Sequence, residues 1–230
     1  FIHAANAAGD KRYIMTITAP ADTERTAILD RLGLSASQIT DWLTPIVVFI
    51  TNLGDGAFWI IFSLLMLIPK KTRKAGVVML VAMALMGVGN NLIIKNLVAR
   101  PRPYNLLDWE GISKYPALAA KWAEQYHFPG YVDKLTSYSF PSGHTSSSFA
   151  PALALMLTLD KKDKPWAIPA IILALLIGFT RIYVHVHYCT DVLGGLVSGA
   201  IWAVAAYFIV KAVYPKVTAA IAKRKEAKAK

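Results

Sequence analysis

The chain has 230 residues, 55% of them hydrophobic and only 17% charged, with a net charge of +11. Its apolar residues fall in blocks of bilayer-spanning length, which a soluble core does not need, and its basic residues sit in short loops and a C-terminal tail, which argues against a nucleic-acid binder. One cysteine, Cys189, excludes an intrachain disulfide.

Residues 1–24 are small and polar and contain no apolar core of a signal peptide; the chain starts at Phe1, and Met15 is a candidate natural start. His3 reads as incidental. Over 26–44, Ile28, Leu29, Leu32, Leu34, Ile39, Trp42 and Leu43 recur at loosely helical intervals. That pattern suits one or two amphipathic helices lying on the bilayer with Trp42 at headgroup level, or equally a loop packed on the protein.

The first strongly apolar block, 45–68, is broken at Asn52-Leu53-Gly54-Asp55-Gly56. Either a helix bends there or a short interfacial piece precedes a span over 57–69. A basic loop follows, Pro69-Lys70-Lys71-Thr72-Arg73-Lys74. The second predicted span, 75–98, carries Gly87 and Gly89 for close helix packing and Asn90 and Asn91 for hydrogen bonds across helices. Lys95 lies in its last turn. The prolines of Arg100-Pro101-Arg102-Pro103 then end the helix.

Residues 104–139 form a polar and aromatic connection with Trp109, Trp122, Tyr126, His127 and Tyr131, long enough to act as a lid or binding loop. His127 has no partner at an informative spacing. The third span is predicted over 144–159, the fourth over 166–184 and the last over 191–213, where Gly195 and Gly199 stand four apart. The fold expected is all-α: a polytopic transmembrane bundle of five spans, or six if 39–53 is itself a span. Its divisions are an N-terminal segment with interfacial helices over 1–44, a membrane domain over 45–214 and a basic cytoplasmic tail over 215–230.

The positive-inside bias puts the loops at 69–75 and 160–165 and the tail in the cytoplasm. Lys95, Arg102, Ser142, His144, Arg181, His187 and Asp191 then all emerge on the extracytoplasmic face, delivered by three separate segments.

Ionisable groups beside spans are costly and mark function. Lys95, Arg102 and Arg181 aimed at one place would repel unless a dianion sat between them, and arginine forks match phosphate oxygens. In Pro141-Ser142-Gly143-His144, Ser142 is placed to N-cap a helix whose first amides lack helical partners, an anion nest. No carboxylate cluster is available for Mg²⁺ or Ca²⁺, and the surrounding cations disfavour Zn²⁺, so a metal-free site without cofactor is expected. His187 and Asp191 are spaced i, i+4, so the carboxylate can hold Nδ1–H and leave the other ring nitrogen as a nucleophile. His144 would then protonate the leaving oxygen and later take a proton from water. Spacing alone does not firmly separate His187 from His185.

Lys95, six residues and Arg102-Pro103, then Pro141-Ser142-Gly143-His144, then Arg181, five residues, His187, three residues and Asp191, together form a three-part signature. It resembles that of the type 2 phosphatidic acid phosphatase superfamily, over roughly residues 50–210. The resemblance implies a helical membrane core and metal-independent phosphohydrolysis. It also implies His187 as nucleophile, Asp191 as its partner, His144 as acid and base, and Lys95, Arg102, Ser142, Gly143 and Arg181 as phosphate ligands. Thr180 stands where the family usually has serine.

The expected protein is thus a lipid phosphatase of the bacterial inner membrane, acting on a lipid monophosphate or polyprenyl diphosphate. No obligate protein partner is expected. A phosphotransferase using the same phosphoenzyme and an anionic-lipid or phosphate transporter are the alternatives.

Overall fold

The structure is a computed structural model and describes residues 2–5, 14–17, 36–105, 116–117, 120 and 132–229. His127 and the aromatic residues Trp109, Trp122, Tyr126 and Tyr131 lie outside the described residues, as does most of the 26–44 pattern. The chain divides into two compact units, Phe1–Val47 and Val48–Lys230.

In the first unit, β1 (Ile2–Ala5) and β2 (Ile14–Ile17) pair antiparallel with Ile2 opposite Ile17. This hairpin departs from the all-helical expectation; every other described element is helical. Helix α1 (Ala36–Asn52) begins in this unit.

The described elements of the second unit are helical: α2 (Gly56–Met66), α3 (Arg73–Met86), a π-helix (Gly87–Ile94), α4 (Lys95–Val98), α5 (Gly143–Thr158), α6 (Ile168–Tyr183) and α7 (Cys189–Ala229). The five predicted spans all fall on helices. By length and composition, however, three stretches among the described residues can cross a membrane: Arg73–Asn105, Lys164–Tyr183 and Cys189–Lys228. A fourth is gained if Trp42–Asn52 and Gly56–Met66, bent by 57°, count as one span. Helix α5 is 16 residues long, roughly 24 Å, and so falls short of a ~30 Å hydrocarbon core. The last helix does not stop near 213 but runs on to Ala229. The apolar run ends there, yet the Ala- and Lys-rich continuation is built of strong helix formers.

Helix α5 is the hub, packed against α2, α3, α6 and α7. Its inner turns are small and polar: Thr145, Ser146, Ser147, Ser148, Ala150 and Ala152 are all buried. Their hydroxyls find acceptors locally, Ser146 on the Ser142 carbonyl at 2.6 Å and Ser148 on that of His144 at 2.7 Å. The small surface lets α7 come close. A Cβ on Gly195 would stand 2.8 Å from the Ser142 carbonyl, and one on Gly199 2.9 Å from Phe149 Cβ, as the four-residue spacing predicts.

Gly89 gives way to the Trp202 ring, but Gly87 faces nothing within 4 Å, so only one of those two glycines serves packing. Asn90 donates to Ser198 Oγ (2.9 Å) and accepts from Trp202 Nε1 (2.9 Å), the cross-helix bonding expected of it. Outward, Ile61, Leu92, Leu97, Phe179, Val197 and Phe208 are all exposed, an apolar coat suited to lipid rather than water.

Lys71 Nζ meets Asp163 Oδ1 at 2.8 Å, so the two short basic loops share one end of the bundle.

Candidate active site

At the other end of α3, the widened turns of the π-helix lead into Lys95, which is buried, and the helix closes at Ala99 in a left-handed conformation (φ 46°). Arg100 and Arg102 follow among the prolines. Residues 184–188 then link two candidate spans and carry the two histidines. His185 has a positive φ of 57° and points to the surface; His187 is buried. The structure therefore separates the pair that spacing could not.

His187 is gripped on both ring nitrogens. Nδ1 lies 3.4 Å from Asp191 Oδ2, and Nε2 lies 3.2 Å from Arg102 Nη1. A guanidinium has no lone pair to offer, so Nε2 must be the acceptor and the ring proton must sit on Nδ1. Burial pushes the imidazole down from its ordinary value to about 3; the Asp191 hydrogen bond opposes this, and the Arg102 charge adds to it. Nε2 therefore keeps its lone pair at any physiological pH. Tyr188 next to it is pushed up, chiefly by burial.

Asp191 is fully buried and held from several sides. Oδ1 accepts from Arg100 Nη1 at 2.8 Å. Oδ2 accepts from the Tyr188 amide at 2.9 Å and from Ser139 Oγ, besides His187. Its carbonyl accepts from the Ser142 amide at 2.9 Å, which ties α7 to the start of α5. Ser142 caps α5 as expected, its Oγ accepting from the Thr145 amide (3.4 Å) and hydroxyl (2.9 Å). The amides of Gly143 and His144, in the first turn, have no helical acceptor. Lys95 Nζ lies 3.6 Å from the place a Cβ would take on Gly143.

His144 stands within electrostatic reach of Lys95, Arg102, Arg181 and His187. Its ring lies against Gly54, where a Cβ would come within 2.9 Å of His144 Cδ2. Ser147 Oγ donates to the Gly54 carbonyl at 2.7 Å. The break after Asn52 is therefore packed against the site. Arg181, also buried, donates through Nη1 to Thr51 Oγ1 at 2.6 Å, while its buried Nε has no acceptor among the described residues.

Arg102 differs from expectation. Its Nε and Nη2 reach Ser137 O (2.7 Å), Ser137 Oγ (3.0 Å) and Tyr138 O (3.4 Å), and Nη1 reaches Val186 O (3.0 Å) as well as His187. All five of its donors are engaged within the protein, so Arg102 pins the end of the long connection instead of standing open to an anion. An open cavity of about 340 Å³ lies beside it, bordered by Arg100, Asn105, Thr136, Ser137 and Tyr138.

All eight candidate residues therefore belong to this one end of the bundle. Thr51, Gly54, Arg100 and Ser139 were not anticipated. Arg100 and Ser139 flank the motifs, and the break at Gly54 was visible without its purpose; Thr51 left no signal. Among the described residues, no three His, Cys, Asp or Glu side chains gather to hold a metal ion.

A sequence profile described as the PAP2 superfamily matches residues 74–215. The chain belongs to this superfamily. Among its relatives, an undecaprenyl-diphosphatase of Sulfolobus acidocaldarius is 31% identical over 161 residues, covering 69% of this chain and 66% of that protein. A phosphatidylglycerophosphatase B of Bacillus subtilis is 39% identical over 83 residues, covering 33% of this chain and 39% of that protein. The chain thus spans less than two thirds of the length of either. The crystal structure of a transmembrane PAP2 type phosphatidylglycerolphosphate phosphatase from Bacillus subtilis has the same fold, with a TM-score of 0.55 at 24% identity over 86% of this chain and 89% of that one.

Proposed function

We propose that this PAP2 protein is a membrane lipid phosphatase that removes the terminal phosphate of a lipid monophosphate or polyprenyl diphosphate through a phosphohistidine, without a metal ion. The observation that carries this reading is the His187 ring: Asp191 on Nδ1, a lone pair on Nε2, and a cluster of cations around it.

Nε2 attacks phosphorus, the P–N bond forms and the P–O bond to the lipid breaks, and His144 gives its proton to the departing oxygen. His144 then takes a proton from water as that water attacks phosphorus, the P–N bond breaks, and inorganic phosphate leaves. Asp191 balances the charge on the imidazole meanwhile. Lys95, Arg181, Ser142 and the amides from Gly143 onward stabilise the equatorial oxygens. Arg102 joins them by shifting one donor from Nε2 to the phosphoryl group, which frees the nucleophile.

The named relatives act on an undecaprenyl diphosphate and a phosphatidylglycerophosphate, and both substrates present a terminal phosphate on a lipid. The basic loops joined by Lys71 and Asp163 support a cytoplasmic position for that end, and with it the reading of a site on the outer face of the inner membrane. The test is phosphate release from a panel of lipid phosphates by detergent-purified protein in EDTA. Turnover is expected to continue in EDTA and to vanish in His187→Ala. A strict divalent-metal requirement would overturn the mechanism. Transfer of label to a lipid hydroxyl without free phosphate would make the protein a phosphotransferase, and transport retained by His187→Ala would make it a carrier.

A further inference from the structure

We infer that Arg100 is a positioning residue for the His187–Asp191 pair: it locks the Asp191 carboxylate so that Oδ2, and not Oδ1, faces the imidazole. This rests on the function proposed above but adds a residue outside the three-part signature.

A carboxylate can rotate about its last bond, and a histidine partner needs one oxygen kept in line. Oδ1 of Asp191 is taken by Arg100 Nη1 at 2.8 Å, with both side chains largely or wholly buried, at 14% and 0% exposure. The same nitrogen donates to Thr190 Oγ1 at 2.8 Å. The guanidinium is held in turn, with its carbon 4.0 Å from the centre of the Tyr188 ring. Its backbone carbonyl accepts from the Ser139 amide at 2.8 Å, and Ser139 Oγ bonds the other carboxylate oxygen. Arg100 therefore fixes both oxygens, one directly and one through Ser139. Three chain segments, 99–102, 137–139 and 187–191, close around one carboxylate.

With Oδ1 turned to Arg100, Oδ2 is the oxygen that faces Nδ1, and the ring keeps its lone pair on Nε2. Without the cap the carboxylate is held through Oδ2 alone, by Ser139 and the Tyr188 amide, its grip on Nδ1 loosens, and the tautomer with the proton on Nε2, which Arg102 opposes, gains population. That form cannot attack. Arg100 does this through Nη1, which faces Asp191 and Thr190.

The experiment compares wild type with Arg100→Lys and Arg100→Gln, purified in detergent and matched for folding by size-exclusion profile and thermal midpoint. In Arg100→Gln, kcat is expected to fall on the order of 10- to 100-fold, less than the roughly 10⁴-fold lost when the carboxylate of a triad is itself neutralised. KM should stay within about twofold, and Arg100→Lys should recover a large part of kcat, because removing an orienting group acts on the transition state rather than on uniform binding. A loss confined to KM would make Arg100 a substrate contact and overturn the inference. So would an unchanged kcat in a folded variant.

A second readout needs no substrate. In ¹⁵N-histidine NMR, His187 of the wild type should show the Nδ1–H tautomer, and Arg100→Gln should show a mixture. An unchanged tautomer in the variant overturns the positioning role even if the wild type hydrolyses no lipid phosphate. A shifted tautomer supports that role and leaves the failure with the proposed activity.

Discussion

Arg181 donates to the hydroxyl of Thr51 across 130 residues of sequence, at 2.6 Å and out of contact with water. That bond, with the Nε of Arg181 left without an acceptor among the described residues, aims a buried cation into the site from the last turn of α6. Thr51→Val removes the acceptor but keeps the shape. It should lower stability by about 1.5–3 kcal/mol, the usual worth of a hydrogen bond to a charged group, and weaken inhibition by vanadate. Thr51→Ser should restore both. Thermal unfolding in detergent and a vanadate titration check the pair; vanadate inhibition as strong in Thr51→Val as in wild type would show that the contact does not aim Arg181.

Gly54 offers a second lever. A Cβ there would meet Ile177 Cγ2 at 2.5 Å, His144 Cδ2 at 2.9 Å and the Thr51 carbonyl at 3.0 Å. Backbone cannot step aside as a side chain can. Gly54→Ala should therefore push the His144 ring and cost about 1–3 kcal/mol as overpacking, with turnover falling more than stability explains. Leaving-group dependence is the discriminating measurement. A displaced general acid makes poor leaving groups suffer more than good ones, and equal losses on a lipid phosphate and on a nitrophenyl phosphate would contradict the prediction.

Acid should weaken the fold through His187. Its folded-state value is about 3, against roughly 6.5 in an unfolded chain. Between these values the unfolded chain binds a proton that the native protein refuses, so stability rises with pH across that window. This contribution is complete above about pH 6.5 and is lost as pH falls towards 3. Unfolding measured from pH 7 to pH 4 should show a slope that His187→Gln reduces by nearly one proton. Equal slopes in the two proteins would place the acid sensitivity elsewhere.

Two glycines in one chain should respond in opposite ways. Gly199→Ala puts a methyl 2.9 Å from Phe149 Cβ and 3.2 Å from the Ala150 nitrogen, and should destabilise by about 1–3 kcal/mol. Gly87→Ala meets nothing and should be neutral or stabilise by up to about 1 kcal/mol, the helix-propensity gain. Thermal midpoints of the two variants in the same detergent decide it.

These contrasts show what could be read in the amino-acid order. Helix positions were legible because apolar blocks, prolines and basic loops punctuate them, and Ser142 announced its cap. The family motifs named eight candidate residues, which the fold gathers at one end of the bundle, because their spacing is specific. Thr51 and Arg100 were not legible, since their partners lie 130 and 91 residues away and only the folded chain brings them together. The π-helix escaped because nothing in Gly-Val-Gly-Asn-Asn marks a change from four-residue to five-residue bonding. The engagement of Arg102 by Ser137 and Tyr138 escaped for the same reason as Thr51: a motif names a residue without saying what else it holds.

The amide of Ser142 rests on the backbone carbonyl of Asp191. The start of α5 and the His187–Asp191 pair thus hang from a single peg. If α5 and α7 sway in the surrounding lipid, that bond ties the two together, and in the proposed reaction it would keep the gap from cradle to ring nearly constant. A phosphatase of the kind proposed, working in so restless a solvent, would need that shared mooring more than a stiff body.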